Sequence, residues 1–245
     1  MSRMGKALFG LWSVMTFSLL GYGLFVALGD SPPDAEQGNM IRAFYYHFPN
    51  WIGAGIFLPL NLLASVAYLA LRKKNVLAAT KADALALATA EMGVLYCVLG
   101  MITGSLWGRV EWGIWWAWDA RLTTTLMLAL IYIAYLMVRR ISSGSSRATI
   151  CAVLAIFGFV DMPIVYMSTT WWRTQHPAPV FGGGDGSGIA PSMMRATLWN
   201  VTAWVAWGVL VAGIRYRGEL QAQLREQEDA LRVLEEASIE EASNV

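Results

Sequence analysis

The chain has 245 residues and only two histidines, His47 and His176. Between them lies the stretch Trp107 to Arg121, W-G-R-V-E-W-G-I-W-W-A-W-D-A-R, which holds five of the twelve tryptophans together with Arg109, Glu111, Asp119 and Arg121. Imidazole nitrogen is a common axial ligand of haem iron. Rigid apolar indoles, each with an N–H, suit a large flat aromatic ligand. Two imidazoles facing a tryptophan shelf therefore read as a site gripping a haem from both sides. His47 and His176 are the candidate iron ligands, and Trp107, Trp112, Trp115, Trp116, Trp118 and Asp119 form the candidate platform. Arg42, five residues before His47, and Arg121, two after Asp119, are the cations able to pair with the propionates in the forked way a guanidinium favours. If the second half of the stretch is helical, Trp112, Trp115, Trp116 and Asp119 stand at i, i+3, i+4 and i+7 on one face. The competing reading is an aromatic belt at a membrane surface, with two ordinary surface histidines.

The elements that must position these residues are legible in the composition. The chain is 56% hydrophobic and 14% charged, with a mean hydropathy of +0.47. A soluble domain carries about 25% charged residues, so the deficit points to a membrane protein. The net charge of +1 and the scattered basic residues give no nucleic-acid groove. Apolar runs over about 7–29, 51–71, 83–103, 122–138, 148–169 and 196–214 predict an all-α membrane protein, a bundle of six spanning helices. The first run is too long for the core of a cleaved signal peptide and reads as a retained anchor. Pro49 marks the start of the second helix, Trp51 reads as an interface anchor, and Pro163 kinks the fifth span. Of the 18 Lys and Arg, thirteen fall in the N-terminus, the even-numbered loops and the tail. Five (Arg42, Arg109, Arg121, Arg173 and Arg195) fall in the odd-numbered loops. That asymmetry puts both termini in the cytoplasm, and it puts both histidines and the tryptophan stretch on the outer side. Three segments distant in sequence are thus expected to converge at one end of a bundle. Histidines at loop–helix junctions make a shallow, open site, which suits a handler that passes haem on.

W-G-I-W-W-A-W-D, Trp112 to Asp119, resembles the WWD signature of haem-handling membrane proteins. The six spans, Y-Y-H-F-P before the second and W-W-R-T-Q-H-P after the fifth resemble the CcmC family of the bacterial cytochrome c maturation system. The resemblance covers about the first 215 residues. It implies that His47 and His176 ligate the iron of haem b and that the WWD segment holds the ring. It further implies a multi-pass protein of the bacterial inner membrane with its haem site on the periplasmic side. Haem is then presented to the periplasmic haem chaperone CcmE, within an ABC-type complex with CcmA, CcmB and the small CcmD. Haem delivery or transport is expected ahead of an enzyme with its own acid–base chemistry. A permease subunit without a haem site and a haem lyase are the other readings.

The remaining signals are smaller. Residues 1–215 read as the haem-handling domain and 216–245 as a charged cytoplasmic tail whose Leu220, Leu224, Leu231 and Leu234 fall near one helical face. That tail is expected to form a helix able to touch a nucleotide-binding subunit. Cys97 and Cys151 sit in apolar runs and read as buried thiols. Glu91 and Asp161 are carboxylates inside spans. Glu91 reads as a structural or partner contact, and Asp161 as a group bonding the backbone freed by Pro163. Trp171 and Trp172 read as interface anchors. The glycine run Gly182 to Gly188 follows no strand and has no Lys-Ser/Thr, so it reads as a flexible outer loop and not as a phosphate cradle.

Overall fold

A computed structural model describes residues 3–142, 144, 146–177, 179–181 and 188–243, with side chains to Ile239. Seven helices make up the bundle: α1 Arg3–Phe25, α2 Phe44–Leu71, α3 Val76–Glu111, α4 Ala120–Ile141, α5 Arg147–Phe159, α6 Asp161–Trp171 and α7 Pro191–Ser243. Taking α5 and α6 together, six helical segments are long and apolar enough to cross a membrane. No strand is present among the described residues.

The core is a pair of long helices, α2 and α3, with α7 against both, α1 on α7, and α4, α5 and α6 closing the other side. Small residues let these helices approach closely, as association in lipid demands. A Cβ on Gly53 would lie 2.7 Å from the Tyr96 ring. Tyr96 is fully buried, and its hydroxyl donates to the Trp204 carbonyl at 2.6 Å, tying α3 to α7. Cys97 and Cys151 are buried free thiols, as expected from their apolar surroundings.

Helix boundaries differ from the sequence-based expectation at informative places. Helix α2 starts at Phe44, not at Pro49, because a 3₁₀ turn at Asn39–Ala43 feeds directly into it. Pro49 lies inside the helix, and the adjacent Asn50 Nδ2 donates to the Tyr46 carbonyl at 2.6 Å. Helix α3 is longer at both ends than the apolar run. Asn75 caps its start by accepting from the Ala78 N–H at 3.0 Å. It ends at Glu111 because Gly113 adopts φ +74°, a left-handed terminator. Residues 112–119 are therefore not helical, and the one-face arrangement of Trp112, Trp115, Trp116 and Asp119 does not form.

The fifth span breaks where Pro163 requires. Its ring excludes the carbonyl of Phe159, the last residue of α5, and α6 begins at Asp161. Asp161 does not cap α6; its Oδ2 is buried without a hydrogen-bond partner. Glu91 has a partner within the chain, a forked pair with Arg215 of α7 at 2.6 Å on both oxygens. Helix α7 runs unbroken through the sixth span and Gly218 into the charged segment. At about 1.5 Å per residue, its 53 residues reach about 80 Å, far beyond a bilayer's apolar core of about 30 Å. Gln223 is buried and bonds Asp83 at 2.8 Å, Gln227 is exposed but bonds Thr80 at 2.9 Å, and Leu231 and Leu234 are exposed.

Candidate functional site

At the end of the bundle opposite that contact, three connections meet. A cavity of about 540 Å³ is walled by the entry to α2, the end of α3, the start of α4 and the segment after α6. Both histidines line it, and so do Trp107, Trp112 and Arg121. Phe44, Phe48, Trp51, Leu122 and Phe181 make most of the remaining wall apolar. The volume lies within the ~300–1,000 Å³ of small-molecule sites.

His47 sits in the first turn of α2, held from three directions. Its Nδ1 meets Thr103 Oγ1 at 3.2 Å, its Nε2 accepts from the Trp51 indole at 3.0 Å, and its ring stands edge-on to Trp107 at 5.8 Å. His47 and Trp51 are four residues apart, so they share a face only because α2 begins at Phe44. Trp51 is thus part of the wall and not simply an interface anchor.

His176 arrives from the segment after α6. Its Nδ1 faces Asp119 Oδ2 and Thr174 Oγ1, each at 3.3 Å, and its ring packs edge-on to Trp112 with centroids 5.0 Å apart. A carboxylate only accepts, so the proton belongs on Nδ1 and the lone pair on Nε2. Burial pushes the His176 imidazolium below its ordinary pKa of 6.5, outweighing the opposing pull of Asp119. The ring therefore stays neutral at pH 7, the form that binds a metal. Asp119 joins two elements. Its Oδ1 caps α4 by accepting from the Leu122 N–H at 2.8 Å, while Oδ2 faces His176 and the Gln175 N–H. Burial raises its carboxyl, but the Leu122 N–H, Thr174, His176 and the Gln175 N–H together hold it below the usual 3.8.

The other candidates are distributed unevenly. Trp115 and Trp116 border a smaller hollow beside Trp112 and His176. Trp115 lies under Arg109, 5.9 Å from the guanidinium carbon, and Trp116 is edge-on to Trp118 at 5.8 Å. Trp118 is 77% exposed and contributes to neither wall. Arg121 Nη1 donates to the Val165 carbonyl of α6 at 2.8 Å, so this residue braces α4 against α6 while lining the cavity. Arg42 lies outside the cavity wall, and its Nη2 donates to the Ser31 carbonyl at 3.2 Å. Trp171 and Trp172 are exposed at the end of α6. Residues 182–187 of the glycine run lie outside the described residues.

Two features of the site went unread in the sequence. Gly100, Gly104 and Gly108 recur every four residues on α3. Added Cβ atoms there would lie 2.8 Å from Trp51, 2.8 Å from His47 and 3.2 Å from Trp112. Glycine's missing side chain thus makes room for three rings of the site, and G-x-x-x-G spacing was the available signal. Gln37, from the acidic loop before α2, accepts from the Trp107 indole at 3.1 Å; nothing in its local sequence marks it.

A helical bundle with six segments long and apolar enough to cross a membrane, and with both histidines walling one aromatic cavity at its end, has the makeup of a polytopic membrane protein. Comparison with known proteins makes this specific. Residues 1–231 match the CcmC family, Heme exporter protein C, and the chain belongs to that family. It is 32% identical over 212 residues to Heme exporter protein C of Haemophilus influenzae, covering 86% of this chain and 83% of that one. It is 36% identical over 201 residues to Heme exporter protein C of Bradyrhizobium diazoefficiens, covering 78% and 73%. A putative cytochrome c biosynthesis ccmC-like mitochondrial protein of Arabidopsis thaliana is 31% identical over 196 residues, covering 80% and 70%.

Proposed function

We propose that this chain binds haem b as cargo between His47 and His176 at the outer face of the bacterial inner membrane. It presents that haem to the periplasmic chaperone CcmE for covalent attachment, working beside CcmA, CcmB and CcmD. The observation that carries this reading is that the chain's only two histidines, from connections far apart in sequence, wall the same aromatic cavity. The donor set fits haem, with two imidazoles for the iron and apolar rings for the macrocycle. Arg121 is the cation in the wall for a propionate. The Lys and Arg asymmetry between loops supports the outer placement of the site and the cytoplasmic placement of both termini.

In this mechanism the protein supplies position, and the bond chemistry belongs to haem and the partner. His176 is pre-set by Asp119, which holds Nδ1 and leaves Nε2 for iron. His47 closes from the α2 side, and the Trp107 and Trp112 edges exclude water beside each imidazole. The ring edge turned away from the two imidazoles is the one offered to the chaperone. The test is direct: haem-loaded chain mixed with purified apo-CcmE should yield CcmE carrying covalent haem, whereas a chain unable to take up haem at all would return the permease reading.

Asp119→Ala should act in two separable ways. Losing the cap costs α4 about 1 kcal/mol, read as a modest fall in melting temperature. Losing the imidazole's carboxylate partner should weaken haem binding by about 10- to 100-fold, read by haem titration. Equal haem affinity in the variant would remove the orienting role.

A further inference from the structure

Trp51 does more than line the cavity. Its Nε1 donates to His47 Nε2 at 3.0 Å. An indole N–H is a donor only, so that Nε2 must carry the ring's lone pair and the proton must sit on Nδ1. Nδ1 in turn meets Thr103 Oγ1 at 3.2 Å, and the Thr103 hydroxyl donates to the Leu99 carbonyl at 2.7 Å. Donors and acceptors run from Trp51 through His47 and Thr103 to Leu99 without conflict. The chain specifies a neutral imidazole in a single tautomer. With Nδ1 turned to Thr103, Nε2 is the nitrogen left for a metal, and its lone pair is the one the indole occupies. His176 carries the same tautomer, but the partners of its ring are on Nδ1, and among the described residues no indole caps its Nε2.

The arrangement is fixed by α3. Gly100 lies under the Trp51 indole and Gly104 under the His47 ring, each so close that an added Cβ would come within 2.8 Å. The two rings therefore rest side by side on backbone, where neither has a flexible side chain to yield to.

We propose that Trp51 is an exchangeable cap on His47, a positioning residue that holds the ligating nitrogen when iron does not. This rests on the reading of His47 as an iron ligand. Cargo enters by trading the N–H···N hydrogen bond for an iron–nitrogen bond, and it leaves by the reverse trade. The tautomer is the same in both states, so no proton is gained or lost. Without the cap, departing haem would leave Nε2 of the half-buried His47 without a partner in a mostly apolar wall, which disfavours release. With it, Nε2 is satisfied at both ends of the exchange. His176 is then the fixed ligand and His47 the labile one, an asymmetry useful to a protein that must give its haem away.

The experiment uses the full chain in detergent, loaded with haem, with apomyoglobin as the acceptor that traps released haem. Trp51→Phe keeps an aromatic ring and removes the donor. It should slow haem transfer and tighten binding by about fivefold, the equilibrium value of one ordinary hydrogen bond. Trp51→Leu, which also lacks a donor, should shift transfer in the same direction. In a His47→Ala background, with free imidazole supplying the missing ligand, Trp51→Phe should have no effect. Unchanged or faster transfer from Trp51→Phe overturns the cap, as does equal slowing in both backgrounds. If His47→Ala alone leaves the haem spectrum and transfer rate untouched, the ligand reading itself fails and the cap falls with it. That outcome is distinct, because it appears before Trp51 is changed.

Discussion

Chain purified with both His47 and His176 replaced by Ala should carry no Soret band, with haem affinity reduced by well over the ~100-fold attached to mere second-sphere partners of a metal. Each single variant should retain some haem with one axial ligand gone, and free imidazole should restore the missing coordination. The ground for expecting so large an effect is the paucity of substitutes. The chain has no third histidine, and both cysteines are buried in the helical core, away from the cavity wall. Deleting either imidazole leaves the cavity's aromatic rings in place. The ring system would still meet an apolar bed, but the iron would lose the contact that fixes it. A double variant with an unchanged absorption spectrum would overturn the ligand assignment, and unchanged helicity by circular dichroism would exclude simple unfolding.

The reasons this site was partly legible are specific. Hydropathy located all six spans, because the apolar stretch a bilayer requires is long enough to stand out in a single sequence. Alternation of loops then brought His47, the tryptophan stretch and His176 to one end, and the cavity is walled by those three connections. Local geometry was harder. The helical reading of residues 112–119 took tryptophan spacing as periodicity and passed over Gly113, whose φ of +74° ends α3. Reading Pro49 as a helix start separated His47 from Trp51, when the helix in fact begins five residues earlier and makes them neighbours. Asp119 was placed with the platform, whereas its carboxylate divides between the α4 cap and His176. Such roles depend on groups far away in sequence, and no local pattern reports them.

The same holds more strongly at the other end of the bundle, where the second large effect is expected. In the sequence Asp83 opens the third apolar run and Arg139 directly follows the fourth. Together they form a forked pair whose side chains are 8% and 5% exposed. Arg139 Nη1 donates to Asp83 Oδ1 at 2.7 Å, and Nη2 donates to Oδ2. Gln223 Nε2 donates to the same carboxylate at 2.8 Å, and Glu219 accepts from both Gln223 at 2.8 Å and Arg139 at 3.2 Å. Helices α3, α4 and α7 are joined by this one network, and Thr80 and Gln227 extend it by a further turn.

Asp83→Ala should therefore destabilise the protein by about 3–5 kcal/mol, since it leaves a buried guanidinium without its principal partner. Glu219, still at 3.2 Å, should hold the loss toward the lower end of that range. The pair replacement Asp83→Leu with Arg139→Met should recover much of it, because removing both charges also removes the cost of burying them. Unfolding midpoints in detergent for the two variants and the wild type check this, and limited proteolysis after Gly218 reads whether α7 has come loose. A wild-type midpoint for Asp83→Ala would show that α7 is held by its apolar contacts alone. The proposed haem site offers an internal control. It lies at the far end of α3, walled by groups the network does not touch. The pair replacement should thus keep an unaltered haem spectrum, and a lost Soret band in that well-folded variant would mean that α3 transmits strain along its 36 residues from one end of the bundle to the other.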